Sequence, residues 1–439
     1  MTLEPSVEFV DLFIIIFSNV GSGPSGVEGV VGSAGLSLGL LGLLFFPFVW
    51  GYIQAITSLE LSVRYRHSNG GLGAWSKKLL GGAAALNTTV WLVLMQCSTA
   101  AFVSELTVAY ANAWAPGTFG TYTQKMGMTM AIIVASFFIN YFSLKFATRL
   151  FWLFSINAFL AFTCLCVVSV RKGLHFDRFD NPVVSAKSVN YNTFINLLIY
   201  NSAGYDASAS VIKFVREPRT TVPRAMGAVS VVIAVIYVAS LTFPFMATSS
   251  PASVWQSGHF VVAARELGGA KLEAWILVAC VGTNLQMFAS ALQCAMFTCQ
   301  GMAKQGVLHA GLAVATPSGI PRRALCLCAF GSLLFGFLPL LVNLSVEGIL
   351  FVAIILVEML CFLRMDSKGS VLAPEGRFAR RLLVAPVTVL AVWALVVQDR
   401  STVFGTLCVL VLGAMWSVRS DAKDEEEVAP EATRARIRL

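Results

Sequence analysis

The chain has 439 residues, 57% of them hydrophobic and only 12% charged, where a soluble domain carries about 25% charged residues. Its apolar residues come in runs long enough to cross a bilayer as helices, which excludes a soluble domain, and they lack the short alternating segments of a barrel. The net charge of +8 invites a nucleic-acid partner only until the basic residues are placed, and their placement gives them another role.

The chain opens with Glu4, Glu8 and Asp11 rather than a basic segment, so the first apolar run reads as retained and not as a cleaved signal. Residues 1–8 form a short cytoplasmic N-terminus. Span 1 covers about 9–33 and is interrupted by Gly21-Ser22-Gly23-Pro24-Ser25-Gly26-Val27-Glu28-Gly29. A membrane helix tolerates such a break where the freed backbone groups face a cavity or other protein. Span 2 covers about 38–63, followed by a Gly-rich, partly amphipathic connector over 68–78. Spans 3, 4 and 5 cover about 83–111, 127–144 and 150–170, and a polar loop fills 171–190.

Span 6 covers about 192–216 and is interrupted by Asn201-Ser202-Ala203-Gly204-Tyr205-Asp206. Span 7 covers about 223–247, and the loop after it holds Pro251 and a short amphipathic piece around 256–268. Spans 8, 9 and 10 cover about 272–303, 322–342 and 346–363; spans 11 and 12 cover about 382–397 and 402–418. The charged tail, 419–439, reads as disordered and cytoplasmic. One transmembrane domain, 9–418, therefore holds a first repeat (9–170), a second repeat (192–363) and two peripheral spans (382–418). With twelve spans both ends share a face. The loops on that face carry 23 of the 31 basic residues, which makes it cytoplasmic. The +8 is then a topology signal.

Two interrupted spans in corresponding positions of two halves are the sequence mark of an inverted-repeat transporter. Close packing of glycines is the competing reading for either break alone, but each break also carries an acid. The acids inside the spans are Glu28, Glu60, Glu105, Asp206 and Glu358. A charge at membrane depth costs roughly 2.5–3.5 kcal/mol on insertion scales, so such acids are functional by default. Glu60, four residues before Arg64, reads as a structural ion pair. Glu105 fits a vestibule charge and an interfacial position equally. Glu28, Asp206 and Glu358 lie deeper. The span cores hold no basic partner, and an unpaired buried acid either binds a proton or a cation. This favours cationic substrates, proton coupling, or both. An acid already placed after the first break also makes a substrate carboxylate less welcome there, so amines without one become attractive.

The ten cysteines sit in or beside apolar runs without metal-ligand spacing, and Cys164/Cys166 and Cys326/Cys328 are C-x-C pairs that point apart on a helix. They read as packing residues. His67, His175, His259 and His309 lie in loops or at span ends with no paired motif, so nothing points to an enzyme or a cofactor.

Several stretches in order resemble the amino acid–polyamine–organocation superfamily, and in particular its eukaryotic polyamine uptake branch, also seen in plants. Gly21-Ser22-Gly23 matches the first-helix G-[S/A]-G, and Gly23-Pro24-Ser25-Gly26-Val27-Glu28 resembles the branch's GGPFGVED. Gly204-Tyr205-Asp206 matches the sixth-helix G-x-[E/D], with Tyr200 at a common aromatic gate position. Glu217-Pro218-Arg219-Thr220-Thr221-Val222-Pro223-Arg224-Ala225 resembles N-P-x-x-T-[V/I]-P-[R/K]-A. Asn69-Gly70-Gly71, Gly301-Met302-Ala303 with Gly306 and Leu308, and Val357-Glu358-Met359 with Arg364 resemble further motifs.

The resemblance covers about 10–370 and implies an all-α polytopic membrane protein: twelve helices, a 5+5 inverted-repeat core of the LeuT type with broken helices 1 and 6, and two peripheral helices. It implies secondary transport by alternating access. The expected substrates are polyamines such as putrescine and spermidine, with proton coupling, working as a monomer in the plasma membrane. The expected substrate-binding residues are Gly21, Ser22, Gly23, Gly26, Glu28, Tyr200, Asn201, Ser202, Gly204, Tyr205, Asp206 and Glu358. Trp91 fits a site role or core packing.

Departures from the pattern are Lys213, the lack of a central acid in span 3, and the lack of a lysine in span 5, where Ser155 and Asn157 are the polar residues. The loop between spans 3 and 4 has no cysteine, against a disulfide-linked heavy chain. The alternatives are a cationic or neutral amino-acid permease or exchanger of the same fold, and a receptor-like sensor, which the short tail disfavours.

Overall fold

The computed structural model describes residues 7–65, 68, 70–179, 189–338, 340–366 and 368–397, without the side chains of 192, 207, 208, 213, 340–345 and 395–397. The expected span 12, the charged tail, Cys408, Asn69, His67 and the Lys213 side chain lie outside the described residues. The described fold is all helical, with one isolated bridge.

The helices, in order, begin with α1 (Phe9–Val20), α2 (Gly29–Ala34), α3 (Leu36–Val49), α4 (Gly51–Arg64) and α5 (Leu72–Leu80). They continue with α6 (Gly82–Trp114), α7 (Tyr122–Tyr141), α8 (Leu144–Lys172), α9 (Tyr191–Tyr200) and α10 (Ala207–Val211). The last five are α11 (Pro218–Ala247), α12 (His259–Lys304), α13 (Arg322–Gly336), α14 (Leu340–Arg364) and α15 (Arg377–Val397). Among the described residues, six helical stretches are long and apolar enough to cross a membrane: Leu36–Arg64, Gly82–Trp114, Leu144–Lys172, Pro218–Ala247, His259–Lys304 and Val346–Arg364. The expected spans 1 and 6 are absent from that set because each is two short pieces: α1 with α2, and α9 with α10.

The ends follow local chemistry. α7 starts five residues before the expected position because Thr121 and Gln124 form a capping box. α11 also starts five residues early, with Pro218 at its first position, where a missing N–H costs nothing. Pro47 lies three residues before a turn at Trp50 that separates α3 from α4. The amphipathic piece expected around 256–268 is the first part of α12, separated from the rest by a non-helical residue at Gly269.

α6 and α12 form the centre. They pack on each other, and α12 also packs on α7, α8 and α13. Thr89, Ser104 and Thr107 on α6 each bond back to a carbonyl one turn earlier, and Asn284 on α12 donates to Thr107 Oγ1 at 3.2 Å. This satisfies the hydroxyls and lets the backbones approach. Large apolar side chains such as Phe138, Leu153, Phe159, Val231 and Val235 face outward, as a lipid-facing surface requires. Trp91 packs against the main core.

At the face bearing the N-terminus, Val7 pairs with the chain just after α10: Val7 N–H donates to Phe214 at 2.8 Å, and Arg216 N–H donates to Val7 at 3.0 Å. On the same face Glu60 accepts from the backbone N–H groups of Val371, Leu372 and Ala373 at 2.8, 2.6 and 2.8 Å. Glu60 is structural, as the sequence suggested, but its partner is this loop. Arg64 pairs instead with Asp366 at 3.2 Å. Glu105 pairs with Lys125 at 3.5 Å.

Candidate functional site

Both expected breaks fall where the glycines put them. α1 ends at Val20 and α2 starts at Gly29; α9 ends at Tyr200 and α10 starts at Ala207. At the second break Gly204 has φ +104° and lies against the carbonyl of Asn19, where a Cβ would sit 2.6 Å from that oxygen. Only glycine permits this crossing of the two unwound segments.

Beside the crossing lies a cavity of about 480 Å³. Asn19, Gly204 and Asp206 form its floor. α6 contributes Gln96, Thr99 and Phe102, α9 contributes Tyr200, Leu197 and Thr193, and α14 contributes Glu347 and Phe351. Tyr200 and Phe102 meet edge to face with centroids 4.5 Å apart, and the Tyr200 hydroxyl reaches Met287 Sδ at 3.4 Å. Two carboxylates, Asp206 and Glu347, line this space. Thr99 Oγ1 donates to Glu347 Oε1 at 3.0 Å. Asp206 precedes α10 without making a side-chain cap to it. Among the described residues, no Lys, Arg or His lines the cavity. Asp206 and Gln96 also line a second void of about 20 Å³ that reaches Gly71 and Thr298. They therefore form the partition between the two spaces.

Of the expected site residues, Tyr200, Gly204 and Asp206 meet at this cavity. The others lie elsewhere in this conformation. Ser22 and Gly23 line a separate apolar pocket of about 220 Å³ against α8 and α11. Gly21 abuts the Tyr237 hydroxyl. Asn201 donates to the Leu197 carbonyl at 2.8 Å, and Ser202 N–H donates to Ile199 O at 3.1 Å. The Tyr205 hydroxyl lies 2.7 Å from Ser230 Oγ on α11. Glu28 is fully buried and outside the cavity. Its Oε1 accepts from the Tyr110 hydroxyl at 2.5 Å and from Gly258 N–H at 2.9 Å, and its Oε2 accepts from Gly26 N–H at 3.0 Å. These three donors satisfy the carboxylate without a cation. Glu358 is also fully buried. Ser58 and Thr57 on α4 donate to its Oε1, its Oε2 has no hydrogen-bond partner among the described residues, and Asp206 lies within electrostatic reach.

Sequence reasoning passed over Glu347. It stands eleven residues before Glu358 on α14, three turns along the same face. That register was the available signal. Gln286 was also missed. Its amide donates to Ser18 Oγ at 2.7 Å and to Ser155 Oγ at 2.9 Å, joining α1, α8 and α12. Asn157, the other polar candidate in span 5, instead accepts from Trp275 Nε1 at 3.1 Å.

Residues 7–420 match the family model described as amino acid permease. The chain belongs to the amino acid permease family. A probable polyamine transporter of Arabidopsis thaliana is 25% identical over 412 residues, covering 93% of this chain and 82% of that protein. The polyamine transporters RMV1 of Arabidopsis thaliana and PUT1 of Oryza sativa subsp. japonica are 23% and 24% identical, again over 93% of this chain and over 84% and 77% of theirs. The fold is shared with the crystal structure of MhsT in complex with L-phenylalanine, at a TM-score of 0.65 and 15% identity over 94% of this chain and 99% of that one. The fold therefore resembles the LeuT-type 5+5 inverted repeat. This permease is a transporter and not an enzyme, and it moves small organic solutes across a membrane by alternating access.

Proposed function

We propose that this permease carries polyamines of the putrescine and spermidine type. The observation that supports this most is the presence of both Asp206 and Glu347 in one cavity of about 480 Å³ with no basic residue among its described lining. A linear diamine presents two ammonium groups joined by methylenes. Each ammonium finds a carboxylate, and the methylenes run past Tyr200, Phe102 and Phe351. A cation over an aromatic face gains about 0.5–2 kcal/mol. An amino acid would bring, beside its ammonium, a carboxylate into a space that already holds two, with no basic side chain among the described lining residues to receive it.

In this reading Asp206 and Glu347 are the amine contacts. Glu358, one step outside the cavity with a carboxylate oxygen that no described residue hydrogen-bonds, carries the coupled proton. The backbone of the two breaks shapes the floor. Glu28 acts through the first break and not by contact. The basic loops put both termini in the cytoplasm, twelve spans complete the fold, and the protein works as a monomer in the plasma membrane.

The test is uptake of labelled putrescine and spermidine at several pH values, with arginine as competitor. Saturable polyamine uptake that rises as the outside is acidified, and that excess arginine does not abolish, supports the reading. Transport of arginine with polyamines ignored rejects it in favour of an amino-acid permease of the same fold. Counterflow in proteoliposomes separates either carrier from a receptor that only binds.

A further inference from the structure

The connector between α11 and α12, residues 248–258, lies on the face opposite the N-terminus. It bears on the second half of the first broken span: α2 packs against the 3₁₀ turn Ala252–Val254 of the connector on one side and against α9 on the other. Trp255 is fully buried there among Phe245, His259 and Phe260. Ser250 is held by the Arg178 guanidinium, but the end of the connector is held differently. Gly258, at φ +100°, sits so close to α6 that a Cβ would lie 2.8 Å from the Ala109 carbonyl, and its N–H points at the Glu28 carboxylate, 2.9 Å away.

Glu28 therefore joins three elements through one group. Gly26 N–H ties it to its own unwound segment, Tyr110 to α6 and Gly258 to the connector. The Tyr110 hydroxyl also accepts from Gly26 N–H at 2.9 Å, which closes the ring. An ionised carboxylate accepts three donors, whereas an amide in its place brings two N–H groups into a ring already full of them. Leu197 carries the consequence to the cavity: it touches the position of Gly29 at the start of α2 and also lines the cavity.

We propose that Glu28 is a positioning residue whose carboxylate clasps the far-face connector onto the second half of span 1, and so sets the wall of the substrate cavity without touching cargo. This goes beyond the polyamine reading, because the clasp would set the rate at which any solute that uses the cavity is carried, and not how tightly it binds. It also explains why an acid stands at membrane depth without lining the cavity.

The test uses the purified full chain, with Glu28→Gln and Tyr110→Phe as two independent ways to open the ring. Tyr110→Phe keeps the ring's bulk and removes only the hydroxyl. Hydrogen exchange is followed over peptides spanning 248–262, and spermidine binding is measured on the same samples beside Asp206→Asn. The expected result is exchange about tenfold faster in that segment for both variants, with spermidine affinity within about twofold of wild type and a slower transport rate. Unchanged exchange in either variant overturns the clasp. So does a loss of spermidine affinity in Glu28→Gln as large as that in Asp206→Asn, since that would make Glu28 a cargo contact. If wild type does not bind spermidine, the polyamine reading fails and the exchange comparison alone decides the clasp.

Discussion

The two breaks are built to one plan and used differently. Each unwinds a span over a glycine-containing segment, and each places an acid just before its second helical piece, Glu28 before Gly29 and Asp206 before Ala207. Glu28 is sealed in by three donors. Asp206 opens onto two cavities and makes no side-chain cap. A carboxylate whose acceptor sites are filled by the protein serves the protein's own geometry, and one left facing a cavity serves a ligand. Sequence position is the same for both; the supply of donors separates them.

The largest effect that would sharpen this contrast is expected at the open acid. Asp206→Asn should weaken polyamine binding on the order of 100-fold, the value of a charge-assisted contact to an ammonium in a partly dry cavity. Radioligand binding on purified protein measures it, and an affinity near wild type would erase the distinction between the breaks. Next, Glu347→Gln should cost about tenfold for spermidine and much less for a monoamine, read by competition with each. A variant that loses both ligands equally would mean that Glu347 shapes the cavity and does not meet the second amine. Glu358→Gln should change the affinity by no more than about twofold while flattening the rise of uptake with external acidification, since the variant has no proton to exchange there. Persistent pH dependence would move the proton carrier elsewhere. The smallest effect on transport is expected from Gln286→Leu. It removes the link from α12 to Ser18 and Ser155, and should lower unfolding stability by about 1–3 kcal/mol in a detergent melt. Substrate binding should survive. A total loss of binding would place that junction, and not the second break, at the heart of the site.

Much of this was legible in the sequence because glycine, proline and charge act locally. The breaks at 21–29 and 201–206 fall at the expected residues, since a helix cannot pass those segments unaided. The acids were visible for the same reason: each is conspicuous in an apolar run. Their partners were not. Tyr110 and Gly258 stand 82 and 230 positions from Glu28, and no periodicity announces a backbone N–H aimed from a distant connector. Glu60 misled in a similar way. Arg64 one turn away is the obvious partner, yet three loop amides more than 300 positions on take the carboxylate. Glu347 was hidden by its place at the start of an apolar run, where depth in the membrane cannot be read. Only its register with Glu358, three turns apart on one helix face, linked it to the interior.

The central claim is that Asp206 and Glu347 hold the two ends of one cargo molecule. The most direct test is the affinity of wild type and Glu347→Gln for a series of linear α,ω-diamines of increasing length, each against the monoamine of equal length. The account predicts a clear optimum of length in wild type, with the diamine favoured over its monoamine, and a flat profile with that preference lost in Glu347→Gln. Equal binding of diamines and monoamines by wild type at every length would contradict it.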